Sequence, residues 1–241
     1  MKRLLFLMLW FALSLSYAQN LSIGTTSQNP PFNSLADQKD HFYGFDIDIM
    51  GEICNRIQAR CQFVPLLFNS LFTQLSTEDI DLAIAAIIIT PYRQQEFLFS
   101  LPYLESQGQF ITLQQSNIKT LEDIPNKKIG TRLGTPFKGL AFSLYKNSVT
   151  LVDVLDIADL MDSLKNKTID VALMDAEAAK NWVMNNSNVY KVIGAPIPVG
   201  GGYGIMANPN QGALISQINQ ALLHMEDDGT YLKIYTRYFP N

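Results

Sequence analysis

Thr90-Pro91-Tyr92-Arg93 sets a permanent positive charge directly behind the apolar run Ile87-Ile88-Ile89. Thr90 is a good helix N-cap and Pro91 is favoured at a first helical position, so the pattern predicts a helix over 91–97 with Arg93 in its first turn. Free N–H groups at such a start attract anions, and a guanidinium adds a rigid fork matched to a carboxylate. The stretch reads as a carboxylate trap, set against the plainer reading of an ordinary helix start. Asp175 stands just before an apolar-periodic stretch, 176–184, and reads as its N-cap. The two histidines, His41 and His224, are not at metal-ligand spacing, and no G-x-S-x-G or similar nucleophile motif occurs. The sequence thus offers no catalytic set, no metal site and no call for a cofactor.

Short strands alternating with helices must position these groups, a pattern that predicts α/β with mainly parallel sheets. Strands are expected at 21–25, 62–65, 81–89, 110–113, 128–131, 149–152, 170–174 and 203–206. Helices are expected at 45–58, 70–75, 91–97, 137–145, 157–165, 176–184 and 211–225, with a last short one ending near Tyr238.

With 241 residues, 47% of them hydrophobic, the chain can fill one large domain or two small ones. A net charge of −4 without a basic stripe argues against a nucleic-acid partner. Lys2 and Arg3, an apolar stretch over 4–15 and the small-residue end Ser16-Tyr17-Ala18 predict a secretory signal over 1–18, cleaved after Ala18. Its loss takes the net charge from −4 to −6. No cysteine lies near the cut, which argues against a lipid anchor, and no later run is long enough for a membrane helix. Cys54 and Cys61 are most simply one disulfide in an oxidising compartment; the alternative is two buried thiols.

Several segments follow one another in a telling order: NPPFNS (29–34), GFDIDIMGEIC (44–54), the step to Cys61, DLAIAAIIITPYRQQEFLFSLPY (81–103), LEDIPNKKIGTRLGT (121–135), TIDVALMDAEAA (168–179) and DGTYLKIYTRYFP (228–240). In these the chain resembles, over essentially its whole mature length, the periplasmic solute-binding proteins of polar amino acid ABC transporters. Arginine, histidine, lysine/arginine/ornithine and glutamine binders are the types it resembles. The resemblance implies a two-lobed type II binding-protein fold with two hinge strands and a ligand cleft between the lobes. Lobe 1 would comprise 19–108 plus 203–241, and lobe 2 would comprise 109–202. It further implies a monomer in a Gram-negative periplasm that delivers an amino acid to an inner-membrane permease.

Site roles follow from the same resemblance. Arg93 would pair with the ligand α-carboxylate, Thr90 would open its helix, and Asp175 would take the α-ammonium. Thr135 would approach the carboxylate, or simply complete a turn. Ala86 and Ile88 fall on the ligand-facing run, where Ile88 replaces a Ser or Thr and can use only its backbone. Phe68 would wall the ligand side chain, whereas Phe32 reads as core. Arg132 would read the side chain from the cleft, or else sit on the surface. Pro136 lacks a backbone N–H that many members donate. Asn29 replaces an aromatic, and Thr26 replaces an acid that some basic-amino-acid binders use. The family branch points to arginine. Arg132 and the missing acid at Thr26 point to a glutamine- or glutamate-like ligand, unless Asp37, Asp40 or another acid fills in. Three other functions stay open. One is a cyclohexadienyl dehydratase-like enzyme with Glu177 as acid. The second is a binder of a carboxylate that is not an amino acid. The third is a sensing ectodomain, which the lack of a span after the signal disfavours.

Overall fold

Apolar residues alternating along short segments build two separate sheets in the computed structural model, which describes residues 19–36 and 41–239. The expected signal at 1–18 and the acids Asp37 and Asp40 lie outside the described residues. Strand β1 (Asn20–Thr25) carries Leu21 and Ile23 into the core. A small antiparallel sheet follows, made of β2 (Gln28–Asn29), β3 (Asn33–Leu35) and β4 (Phe42–Tyr43). Helix α1 (Phe45–Arg56) buries Phe45, Ile49 and Ile53 at helical spacing. After β5 (Arg60–Pro65), helix α2 (Phe68–Ser76) buries Phe68, Leu71 and Leu75. Strands β6 (Leu82–Ala83) and β7 (Leu98–Phe99) complete this part of the chain.

The chain then crosses to the second sheet. It runs through β8 (Gln107–Leu113), β9 (Lys128–Arg132), α3 (Phe137–Tyr145), β10 (Thr150–Val154), α4 (Ile157–Lys165), β11 (Val171–Asp175), α5 (Ala176–Asn185) and β12 (Tyr190–Pro198). It returns with β13 (Met206–Ala207) and ends in α6 (Gly212–Asp227) and α7 (Thr230–Tyr238). The sheet orders are β5-β1-β6-β13-β7 and β10-β9-β11-β8-β12. In the first sheet β1 is parallel to β5 and β6; in the second, β9 is parallel to β10 and β11. The returning β13 runs antiparallel to β6 and β7, and β8 runs antiparallel to β11 and β12. Segments 100–106 and 199–205 join the two lobes. α7 docks back on α1, where the hydroxyl of Tyr238 donates to Asp48 Oδ2 at 2.8 Å.

Four expectations need correction. The helix expected over 91–97 is only a 3₁₀ turn, Arg93–Gln95. Phe97 turns inward against Phe72, at 6.0 Å between rings, and Leu98 pairs with Ala207 of β13, so the backbone must leave the helical path after one turn. The strand expected over 81–89 regularises only at β6, because Ala86 adopts φ +49°; it resumes as a single bridge between Ile88 and Tyr203. The strand expected over 203–206 is correspondingly that bridge followed by β13. The strand expected over 110–113 begins at Gln107 and lies inside the second sheet, so the crossing comes before it. β12 was not expected, since Gly194, Pro196 and Pro198 mask its pattern.

Cys54, late in α1, is bonded to Cys61 in β5, with Cα atoms 6.2 Å apart. The bridge ties the helix end to the edge of the first sheet and closes a loop of sequence separation 7. Loop-closure entropy for so short a loop is worth about 2.5 kcal/mol. Reducing agent, or the paired change Cys54→Ser and Cys61→Ser, should therefore lower the denaturant midpoint by a corresponding amount, measured by urea titration at fixed protein concentration.

Candidate functional site between the lobes

Polar side chains collect just beyond the carboxyl ends of parallel strands, where α/β sheets leave their crevices. Arg132 ends β9 and Asp175 ends β11 in the second lobe. Thr26 follows β1, and the Ala86–Arg93 run follows β6, in the first. The two lobes face each other across this line.

Arg93 bridges them. Its Nη1 donates to the Ile88 carbonyl and its Nη2 donates to the Gly134 carbonyl at 2.8 Å, one partner in each lobe. Gly134 can present that carbonyl because its φ is +84°, a region that other residues rarely adopt. The guanidinium lies 4.9 Å from the Phe72 ring centroid and 5.8 Å from that of Phe68. Thr90 does cap the turn, its hydroxyl accepting from the Arg93 N–H at 3.3 Å. A single 3₁₀ turn carries little dipole, so any attraction for an anion here comes from the guanidinium itself. Burial, then the nearby Arg132 charge, pull the Arg93 pKa down to about 10, with Asp175 opposing; the group stays charged at neutral pH.

Deeper in, Arg132 and Asp175 are 3% and 1% exposed. Arg132 is thus a cleft residue, not a surface one. Its guanidinium stacks 4.1 Å from the Phe68 centroid, and its Nη2 lies 3.7 Å from Asp175 Oδ2, close enough for charge but too far for a hydrogen bond. Arg132 Nε and Nη2, Asp175 Oδ2 and both polar atoms of the Asn29 side chain are buried without a protein hydrogen-bond partner. Asn29 faces Asp175 closely enough to favour its charged form, without closing a bond of good geometry. Buried polar atoms are nearly always partnered, so this concentration marks a place built for something polar. Asp175 occupies the N-cap position of α5, but its side chain makes no capping bond. Its carboxylate turns into the cleft, where the Tyr203 hydroxyl donates to Oδ1 at 2.9 Å. Burial raises the Asp175 pKa, and Arg132 and Tyr203 pull it back.

A scan of family models matches residues 21–241 to bacterial extracellular solute-binding proteins, family 3. The chain belongs to that family. It is 30% identical over 233 residues to the ABC transporter arginine-binding protein 1 of Escherichia coli K12, covering 95% of both chains. An arginine 3rd transport system periplasmic binding protein from Legionella pneumophila superposes with TM-score 0.89 at 44% identity, covering 92% of this chain and 100% of that one. An ancestral arginine-binding protein bound to glutamine superposes with TM-score 0.85 at 29% identity, covering 93% and 100%. These relatives are named as binding proteins, and the two-lobed fold of this solute-binding protein matches theirs.

The remaining expected residues divide into cleft and support. Phe68 is buried in a core cluster, and its ring forms the stacking face for Arg132. Phe32 is core, packed 5.1 Å from the Tyr203 ring. Thr135 completes a turn, both its N–H and its hydroxyl donating to the Arg132 carbonyl. It nonetheless lines a groove of about 540 Å³ with Asn69, Arg93 and Pro136. Ala86 has no free N–H to offer, because that group donates to Asp46 Oδ2 at 2.7 Å. The Thr26 hydroxyl donates to Asn33 Oδ1 at 2.5 Å. Asn33 Nδ2 in turn donates to Asp46 Oδ2 at 3.2 Å. Glu177 lines a separate groove with Glu105, Tyr235 and Phe239 rather than the Arg93–Asp175 cleft. His41 and His224 are exposed, and among the described residues no group of ligating side chains could hold a metal ion. No described helix is long and apolar enough to cross a membrane.

Residue-by-residue reading missed Asp46, Asp156 and Tyr203. Asp46 could have been noticed as an acid at a buried position of the α1 pattern, and Tyr203 as a large ring directly after three glycines. Asp46 accepts from Ala86, Asn33 and the Tyr103 hydroxyl, the last at 2.9 Å. Burial raises its pKa from the ordinary 3.8 to about 6. Between those values the folded protein holds a proton that the unfolded chain has released, so the Asp46 contribution to stability should grow as pH falls from about 6 toward 4. The full effect is up to about 3 kcal/mol. Thermal melts of wild type and Asp46→Asn between pH 4 and 7 check it: the wild-type gain on acidification should be flattened in the variant.

Proposed function

We propose that this chain captures an L-amino acid with a polar side chain in the periplasm and delivers it, as a monomer, to an inner-membrane ABC permease. One observation carries this reading: Arg93 and Asp175 stand buried in one cleft between the lobes, with Asp175 Oδ2 unpartnered. A zwitterion enclosed there needs a cation for its carboxylate and an anion for its ammonium, since an unpaired buried charge is costly. Three of the five guanidinium N–H groups of Arg93 remain after its two carbonyl bonds. The amino acid-binding relatives support the class of ligand. The reading includes a cleaved signal at 1–18, lobes at 19–108 plus 203–241 and 109–202, and no catalytic step.

Arginine is the first reading of the ligand, supported by the names of the relatives. Asp156 supplies the acid that Thr26 does not: it lines a groove of about 300 Å³ with Thr26, Phe68 and Arg132. Its charge also favours the ionised form of Arg132. A ligand guanidinium lying along the Phe68 ring would end near it. The second reading, a glutamine-like ligand, is favoured by Arg132 itself, whose unpartnered Nε and Nη2 suit a side-chain oxygen.

A thermal-shift panel of amino acids on refolded protein tests the class. A ligand at a hundred times its Kd should stabilise by about 2.7 kcal/mol. That shift should disappear in Arg93→Ala and Asp175→Asn; no shift with any amino acid rejects the reading. Calorimetry on two further variants assigns the ligand. For arginine, Asp156→Asn should weaken binding roughly tenfold and Arg132→Met should not, at about 1.4 kcal/mol for a lost charge partner. For a glutamine-like ligand the order reverses.

A further inference from the structure

Gly200 lets the returning chain press against the Ile87–Ile89 run, and Gly202 lets it press against Pro102 and Leu104 of the outgoing crossing. A Cβ on Gly200 would sit 2.4 Å from Ile88 Cγ2, and Gly200 and Gly202 adopt φ of +71° and +97°. The close approach is stitched by backbone bonds. Ile89 N–H donates to the Gly202 carbonyl at 2.8 Å, Gly201 N–H to that of Ile89 at 2.9 Å, and Gly204 N–H to that of Ile87 at 3.0 Å. On its other side Tyr203 exchanges two bonds with the outgoing crossing. Its N–H donates to the Leu104 carbonyl at 2.8 Å, and its carbonyl accepts from the Tyr103 N–H at 2.9 Å. Its ring is held by Phe32 at 5.1 Å and Tyr103 at 6.5 Å. The Tyr203 backbone and ring are therefore fixed by the first lobe and both crossings, yet its hydroxyl reaches Asp175 of the second lobe.

We propose that Tyr203 is a positioning residue: through its hydroxyl the hinge fixes the Asp175 carboxylate so that Oδ2, not Oδ1, is offered to the ligand ammonium. The inference rests on the amino acid reading of the cleft. A mirror arrangement in the first lobe, Tyr103 on Asp46, comes from the other crossing. The charged and titratable groups facing Asp175 are Arg132 from β9, Arg93 from the 3₁₀ turn, Asp46 from α1, and Tyr103 and Tyr203 from the crossings. Among the described residues, the side-chain hydrogen bond that Asp175 accepts is the one from Tyr203.

Tyr203→Phe keeps the ring and removes the bond. The first measurement is a carbon-detected titration of the Asp175 carboxyl in ligand-free protein. The lost bond favoured the ionised form, so the variant midpoint should move to higher pH. Tyr103→Phe, which removes the matching bond to Asp46, should leave the Asp175 midpoint in place. The second measurement is the Kd for the bound amino acid against pH. Binding needs Asp175 ionised and is lost as pH falls through its titration, so the acid limb should move up in Tyr203→Phe. At neutral pH the Kd should rise about tenfold, the size expected for a hydrogen bond to a charged group. An Asp175 midpoint unmoved by Tyr203→Phe overturns the inference. A wild-type protein that binds no amino acid overturns the functional reading instead, and the carboxyl titration still decides the role of Tyr203.

Discussion

Two guanidiniums and one carboxylate share a buried seam, and much of the architecture exists to hold them there. Arg93, Arg132 and Asp175 are each less than a tenth exposed, and the three carry a net positive charge. Burial, then repulsion from Arg132, lowers the Arg93 pKa; burial lowers that of Arg132; and Asp175 opposes the shift at both arginines. Phe68 and Phe72 give the cations aromatic faces instead of water. Such an arrangement is costly to fold, and the unpartnered atoms of Arg132 and Asp175 show that the protein does not satisfy it internally. On the proposed reading, a ligand bearing complementary charges relieves that cost.

The supporting structure is polar as well as apolar. Asp46 sits at the start of α1, fully buried, and gathers Ala86, Asn33 and Tyr103. Its bond to the Ala86 N–H holds the backbone at φ +49°, and that bend directs the following residues to Arg93. The Ile88 carbonyl then receives the Arg93 fork. A carboxylate held in the first lobe thus shapes one wall of the cleft. The price is a pKa near 6 and a stability that depends on pH.

Both crossings carry a tyrosine, and each tyrosine reaches a buried aspartate. The hinge is therefore tied by side chains to the interior of both lobes as well as by backbone. Glycine at 200 and 202 is what permits the two crossings and the Ile87–Ile89 run to come so close. In a fold whose lobes close by hinge bending, this couples the geometry of closure to the geometry of the site.

Much of this was legible in the sequence. Periodicity placed α3 and α4 at their observed bounds and set most parallel strands, because their apolar patterns are local and strong. The cysteine pair at separation 7 implied its bridge, and the ordered motifs implied the family and the two-lobed fold. What failed were local readings overridden by long-range partners. The Thr-Pro start favoured a helix at 91–97, but Phe97 and Leu98 are needed by the core and by β13. Asp175 holds the N-cap position of α5, but its carboxylate makes no capping bond and is drawn to Tyr203, twenty-eight residues away. Ala86 fell on the ligand-facing run, but its N–H is taken by Asp46, forty residues earlier. Residue type and spacing determined which charges the cleft would contain. Only the tertiary structure decided which atoms of those charges remain unpartnered, because hydrogen-bond partners are chosen by proximity in space and not along the chain.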